Sequence, residues 1–214
     1  MLFIDLEIRL FTPAMAKEVS TLDFTGSVLK TAGAYVKIGG LFPFAIGWQL
    51  HQGNIPVVRL GGHVTGQETG WECALREVKE EANLQISLIN PEKTYFFPAE
   101  TLGADLQEVQ WEQINIPGPK PLLMVGYRTD LDLSLSLMYL AETDENPTPS
   151  AEVKGILLLD PDSIIRICVS SITLDQYLKQ GGKAIFTEQF DCNRPLEPFL
   201  QLRILSRLLK AQLV

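Results

Sequence analysis

Histidine and cysteine are scarce in this 214-residue chain, with two of the first and three of the second. The cysteines, Cys73, Cys168 and Cys192, lie far apart and form no Cys-x-x-Cys spacing. That excludes a zinc cage or redox pair of the usual spacing and fits a reducing, cytoplasmic setting. No run of about 18 apolar residues occurs, so no membrane-spanning helix is expected. The opening MLFIDLEIRLF breaks its apolar residues with Asp5, Glu7 and Arg9 and lacks a basic start, unlike a secretory leader. Basic residues are also in deficit, 18 Lys and Arg against 26 Asp and Glu, for a net charge of −8. A surface of that sign repels phosphate backbones and anionic lipid, which argues against nucleic acid or a membrane as partner.

What is present is an ordinary globular composition, 46% hydrophobic, in a chain long enough to bury a core without disulfide or metal staples. The length suits one domain with extensions: a core of about 31–160, an N-terminal extension 1–30 and a helical C-terminal extension 161–214. Alternation at Leu2, Ile4, Leu6, Ile8 and Leu10 predicts a half-buried strand. Further strands are expected at 31–38, 44–51, 56–60, 84–88, 93–97, 121–128, 136–141 and 153–160, with HQGN at 51–54 as a hairpin turn. The period changes to about 3.6 over 69–82, predicting a helix. One or two helices are expected over 162–180, and an amphipathic helix over the last twenty residues. Residues 101–120 and 142–150 read as irregular. Many strands with few intervening helices indicate an α+β fold.

The informative segment is GGHVTGQETGWECALREVKEEANL, residues 61–84. Within its helix, Glu77, Glu80 and Glu81 stand at i, i+3 and i+4 and share one face. Trp71, Ala74, Leu75, Val78 and Ala82 fall on another face and seat the helix on the core. Three carboxylates side by side repel, by roughly a few tenths of a kcal/mol per pair. A hard divalent cation offsets that, since carboxylate oxygens suit Mg²⁺ or Mn²⁺. The competing account is a solvated acidic face with Arg76 and Lys79 as partners. Upstream, Gly61-Gly62 ends a strand, where the chain turns tightly and offers a carbonyl.

The series Gly62-x5-Glu68-x7-Arg76-Glu77-Val78-x-Glu80-Glu81-x-Asn83-Leu84 resembles the Nudix box, G-x5-E-x7-R-E-U-x-E-E-x-G-U with U apolar, the signature of the Nudix hydrolases. It covers 23 residues and departs from the pattern once, at Asn83 in place of Gly. That position lies just past the helix, where the chain turns through the left-handed region, and Asn is the usual second choice there. The resemblance implies an α/β/α sandwich with a mixed sheet and Mg²⁺-dependent hydrolysis of a pyrophosphate bond. The implied substrate is a small nucleotide, a nucleoside diphosphate linked to another moiety such as ADP-ribose. By position it implies Glu80 and Glu81 as the main metal ligands, Glu77 as a further ligand or the general base, and Gly62 as a carbonyl ligand. Arg76 would orient a carboxylate, with Glu68 as a structural brace. In several subfamilies the base comes from a remote loop instead; Glu152, just before the strand at 153–159, is the choice here. Glu142, Asp144 and Glu145 lie in or beside the same loop, and Glu142 and Asp144 read better as exposed acids. A non-catalytic nucleotide-sensing module of the same fold is the alternative, although such modules usually lose acids of the box.

Other residues invite chemistry less strongly. His63 could touch a phosphate but reads better as surface, as does His51. Arg59 and Arg128 end strands and could meet phosphate, against ordinary salt bridges. Trp48, Tyr35, Phe96 and Phe97 could stack a base, but aromatic residues in strands are more often core. Cys73, inside the helix, reads as a small buried residue. Pro98, 14 residues beyond the box, is a weak marker of ADP-ribose pyrophosphatases. The terminal extensions are open to a role in a homodimer interface or in capping the substrate pocket.

Overall fold

A computed structural model describes residues 22–46, 51–100, 103–128, 133–150 and 153–214. The chain forms β1 (Val28–Lys37), β2 (Phe42–Ile46), β3 (Ile55–Val58), β4 (Leu60–His63), α1 (Gly70–Ala82), β5 (Ser87–Ile89), β6 (Thr94–Pro98) and β7 (Gln107–Val109). There follow a 3₁₀ turn at Trp111–Gln113, then β8 (Leu123–Arg128), β9 (Leu133–Glu142), β10 (Gly155–Leu159), α2 (Pro161–Val169), α3 (Leu174–Lys179), β11 (Lys183–Phe186), β12 (Leu196–Pro198) and α4 (Leu200–Lys210). No helix among the described residues is long and apolar enough to cross a membrane. The strand predicted at 2–10 lies outside the described residues.

The class is α+β, and the mixed pairing is realised in two sheets. The larger runs β4-β1-β9-β8-β6-β7, with β5 added beside β9; the smaller runs β11-β10-β2-β3-β12. Parallel pairs are β1 with β9, β6 with β8, and β12 with β3. The segment read as one strand at 56–60 is divided. β3 pairs with β2 in the smaller sheet, and β4 pairs with β1 in the larger. Arg59 is the corner where the chain changes sheets, a common device where two sheets pack.

The helix α1 begins on a reciprocal cap: Thr69 accepts from the Glu72 backbone, and the Glu72 carboxylate accepts from the Thr69 N–H at 2.7 Å. It ends at Asn83, whose φ of 54° and ψ of 32° are left-handed, as the substitution of Asn for Gly led one to expect. Lys79 Nζ donates to the Asn83 side-chain oxygen at 2.7 Å and fixes that end. Cys73, Ala74, Val78 and Ala82 are fully buried and small, so α1 lies close on one face of the larger sheet. There it meets Ala32, Ala34, Leu135, Leu137 and Tyr139. Residues of opposite parity, including Tyr35, Val125 and Met138, face the other way and pack with the smaller sheet, α2, α3 and α4.

Segment 161–214, expected to be helical, also supplies both edges of the smaller sheet, β11 against β10 and β12 against β3. Its last helix starts at Leu200, since Leu196 belongs to β12. The strand predicted at 84–88 lies a few residues on, at Ser87–Ile89. The excursion at 101–120 holds β7 and the 3₁₀ turn.

Candidate active site

The site is built where β4 meets α1. Gly62 stands on β4 with no room for a side chain: a Cβ there would lie 2.3 Å from Glu77 Oε1 and 2.4 Å from its Cδ. The carboxylate of Glu77 therefore rests directly on the Gly62 backbone. From beneath, the buried Cys73 thiol points at the Gly62 carbonyl, 3.7 Å away. Burial pushes that thiol up to about 11, so it is neutral and packs as a small apolar group.

Arg76 gathers the carboxylates. Its Nε and Nη2 form a fork to Glu68 at 3.2 and 2.8 Å, and Nη2 also donates to the His63 carbonyl at 3.0 Å. Nη1 donates to Glu77 at 2.7 Å and to Glu80 at 3.0 Å. One guanidinium thus holds three acids and offsets the repulsion between two of them, Glu77 and Glu80. The hydrogen bonds from Arg76 hold the Glu68 carboxyl down at about 2, helped by the backbone and hydroxyl of Thr65. The same contacts, Glu68 foremost, push the Arg76 guanidinium further up. Glu68 ties the loop at Thr65 to the helix through these bonds.

Glu81 is almost fully buried, 7% exposed, and its Oε2 accepts the Gly61 N–H at 2.8 Å. Glu77 and Glu81 of α1 therefore meet two successive residues of β4, Gly62 and Gly61, and Glu80 is joined to Glu77 through Arg76. Among the described residues no three His, Cys, Asp or Glu side chains form a ready-made ion cage. The donor set nevertheless fits a hard divalent cation, being all oxygen, from three carboxylates and one backbone carbonyl. Glu80 is the exposed member, its side chain 54% accessible, and among the described residues its one bond is to Arg76. Such a bond is readily exchanged.

Glu152, chosen from sequence as the base, lies outside the described residues, as does Trp48. The preceding loop docks on the end of α1: Thr148 N–H donates to the Ala82 carbonyl and Ser150 N–H to that of Glu81. Glu145 accepts the Gln85 N–H at 2.8 Å and so braces this loop. Glu142 and Asp144 are exposed. His63 is exposed and enters the site through its carbonyl. His51 is half exposed and paired with Glu197 at 2.8 Å. Tyr35, Phe96 and Phe97 are core. Arg128 is exposed, its backbone N–H donating to Glu100. Arg59 folds back against the sheet, where Nη1 donates to the Ala32 carbonyl at 3.2 Å. Sequence reasoning did not foresee that seat, because it depends on Gly33, a residue of another strand.

No family profile matches this chain, and no curated protein sequence matches it. Among solved structures it is similar to a hydrolase of the NUDIX family from Clostridium perfringens, at 15% identity and a TM-score of 0.43, over 71% of this chain and 92% of that one. It is similar also to a MutT NUDIX hydrolase from Burkholderia pseudomallei, at 14% identity and a TM-score of 0.38, over 71% and 95%. A third is an Ap4A hydrolase of C. elegans, at 18% identity and a TM-score of 0.39, over 64% and 84%. Nudix hydrolases are thus among the solved structures to which this chain is similar.

Proposed function

We propose that the protein is a Nudix hydrolase that cuts the pyrophosphate bond of a nucleoside diphosphate linked to another group, with Mg²⁺ (Mn²⁺ as substitute) as its cofactor. One observation carries the reading. Gly62, Glu68, Arg76, Glu77 and Glu80, spread along the chain at the spacing of the Nudix box, come together at one guanidinium and one strand residue. A merely solvated acidic helix face gives no reason for Glu77 to be pressed onto a glycine, or for Glu68 to reach back across the loop.

The residues divide the work by position. Gly62 through its carbonyl, with Glu77, Glu80 and Glu81, would hold the ion. When bound, Mg²⁺ supplies a Lewis acid that polarises phosphoryl oxygens and acidifies water. Arg76 and Glu68 keep the carboxylates aimed. A carboxylate takes the proton of the attacking water, and Glu77 and Glu152 are the two candidates. Residues of about 31–160 carry this chemistry, flanked by 1–30 and 161–214, in a cytoplasmic enzyme.

The test is release of phosphate and nucleotide, with Mg²⁺, from ADP-ribose, NADH, dinucleoside polyphosphates, nucleotide sugars and nucleoside triphosphates. Turnover of one of them at a kcat/KM of at least about 10⁴ M⁻¹s⁻¹ supports the proposal and names the substrate. Binding of a nucleotide with no turnover of any would replace it with a sensing module.

A further inference from the structure

We propose that Arg59 is an anion-binding residue of the substrate cleft, receiving a phosphate of the substrate on the side of β4 opposite the box carboxylates. The proposal rests on the hydrolase reading above and adds to it a residue that the box does not contain.

The seat of Arg59 is made for it by two glycines. Gly33 on β1 and Gly61 on β4 are cross-strand partners. A Cβ on Gly61 would lie 2.1 Å from Arg59 Nη1, and one on Gly33 would lie 2.9 Å from it. The guanidinium therefore fills the space that two side chains would otherwise take. Consecutive strand residues point to opposite faces. Gly62 accordingly has Glu77 against it and Gly61 has Arg59. The cation and the carboxylates flank β4 one residue apart along the strand.

Its hydrogen-bonding capacity is largely unspent. A guanidinium offers five N–H groups, and among the described residues Arg59 makes one bond, 3.2 Å long, to the Ala32 carbonyl. Two of the groups near it make bonds to other residues. Glu81, which lies within electrostatic reach, accepts the Gly61 N–H, and the Tyr35 hydroxyl donates to the Gln201 carbonyl at 2.7 Å. Burial favours loss of the Arg59 charge and the field of Glu81 resists it. A desolvated cation with one neutral acceptor is costly to keep. Arg59 as a whole is only partly buried, which leaves it open to a ligand on its solvent side.

The chemistry selects the ligand class. A rigid fork of donors suits phosphate, and a chain of net charge −8 needs a local cation to admit one. Arg76, the other arginine of the site, is consumed by three carboxylates and a carbonyl. Arg59 retains donors for a substrate.

Calorimetric titration of the full chain with ADP and with inorganic pyrophosphate, in wild type, Arg59→Gln and Arg59→Lys, tests this. Melting temperatures and the steady-state kinetics of the cleaved substrate are measured alongside. The expected result is at least about a tenfold weaker Kd for Arg59→Gln, appearing in KM more than in kcat. Arg59→Lys should recover part of the loss, since a point charge replaces a fork. If Arg59→Gln fails to fold, the folded Arg59→Lys variant decides by whether its Kd weakens. Unchanged Kd and KM in a wild-type-active background overturn the proposal for Arg59 alone. A wild type that neither binds nor cuts any diphosphate overturns the hydrolase reading together with it.

Discussion

Alanine at position 62 adds one carbon atom, placed 2.3 to 2.5 Å from both oxygens and the Cδ of Glu77. Ordinary contact starts near 3.4 Å, so the carboxylate must withdraw by about 1 Å. Withdrawal stretches its 2.7 Å bond to Arg76 Nη1. The stability cost is small, because the Arg76 side chain is 30% exposed and such pairs contribute at most about 1 kcal/mol. For a domain of this size that lowers Tm by roughly 2–4 °C. The cost in rate is larger. Misplacing a catalytic group by about 1 Å reduces kcat on the order of 100-fold. Gly103→Ala, where a Cβ meets nothing within 4 Å, is the control and should behave as wild type. Thermal melts and steady-state hydrolysis of the preferred substrate separate the two effects. Gly62→Ala with kcat within about threefold of wild type would refute the reasoning, since Glu77 would then not need its place on Gly62.

Two further outcomes are expected from the ends of the box. Glu68→Gln lowers stability at pH 7 by about 1–2 kcal/mol after allowance for solvent. The Glu68 carboxyl is depressed to about 2 from an ordinary 4.5. Its contribution is therefore complete above pH 4.5 and lost as the pH falls toward 2. Melts from pH 7 to pH 2 should show the two proteins converging, and a constant gap contradicts the assignment. Asn83→Ala costs about 1 kcal/mol, because alanine tolerates the left-handed conformation poorly and loses the bond from Lys79. Asn83→Gly relieves the backbone and loses the same bond, so urea unfolding should place it within about 0.5 kcal/mol of wild type.

The helix α1 was legible because its signals are local. Its apolar residues recur with period 3.6, and a single residue type, Asn83, marks its end. The link of Arg76 to Glu68 came from the resemblance to the Nudix box, whereas its pairing with the acidic face was legible from helical spacing. Short strands were not: β11 and β12 hold four and three residues and their pairing comes from β10 and β3, far away in the chain. The division of 56–60 between two sheets at Arg59 is another long-range outcome. So is the pocket for its guanidinium, which needs a glycine on β1 opposite one on β4. No periodicity in a window around Arg59 contains that information.

Glu80 gives the most direct test of the whole account. Its side chain is 54% exposed and, among the described residues, bonded once, by Arg76, so removing its charge should leave the fold and Tm nearly unchanged. If Glu80 helps hold a divalent cation at a hydrolytic site, Glu80→Gln loses at least about 100-fold in kcat/KM and needs more Mg²⁺ for half-maximal rate. A Glu80→Gln protein that hydrolyses the substrate as wild type does, at the same Mg²⁺ dependence, would contradict the central claim.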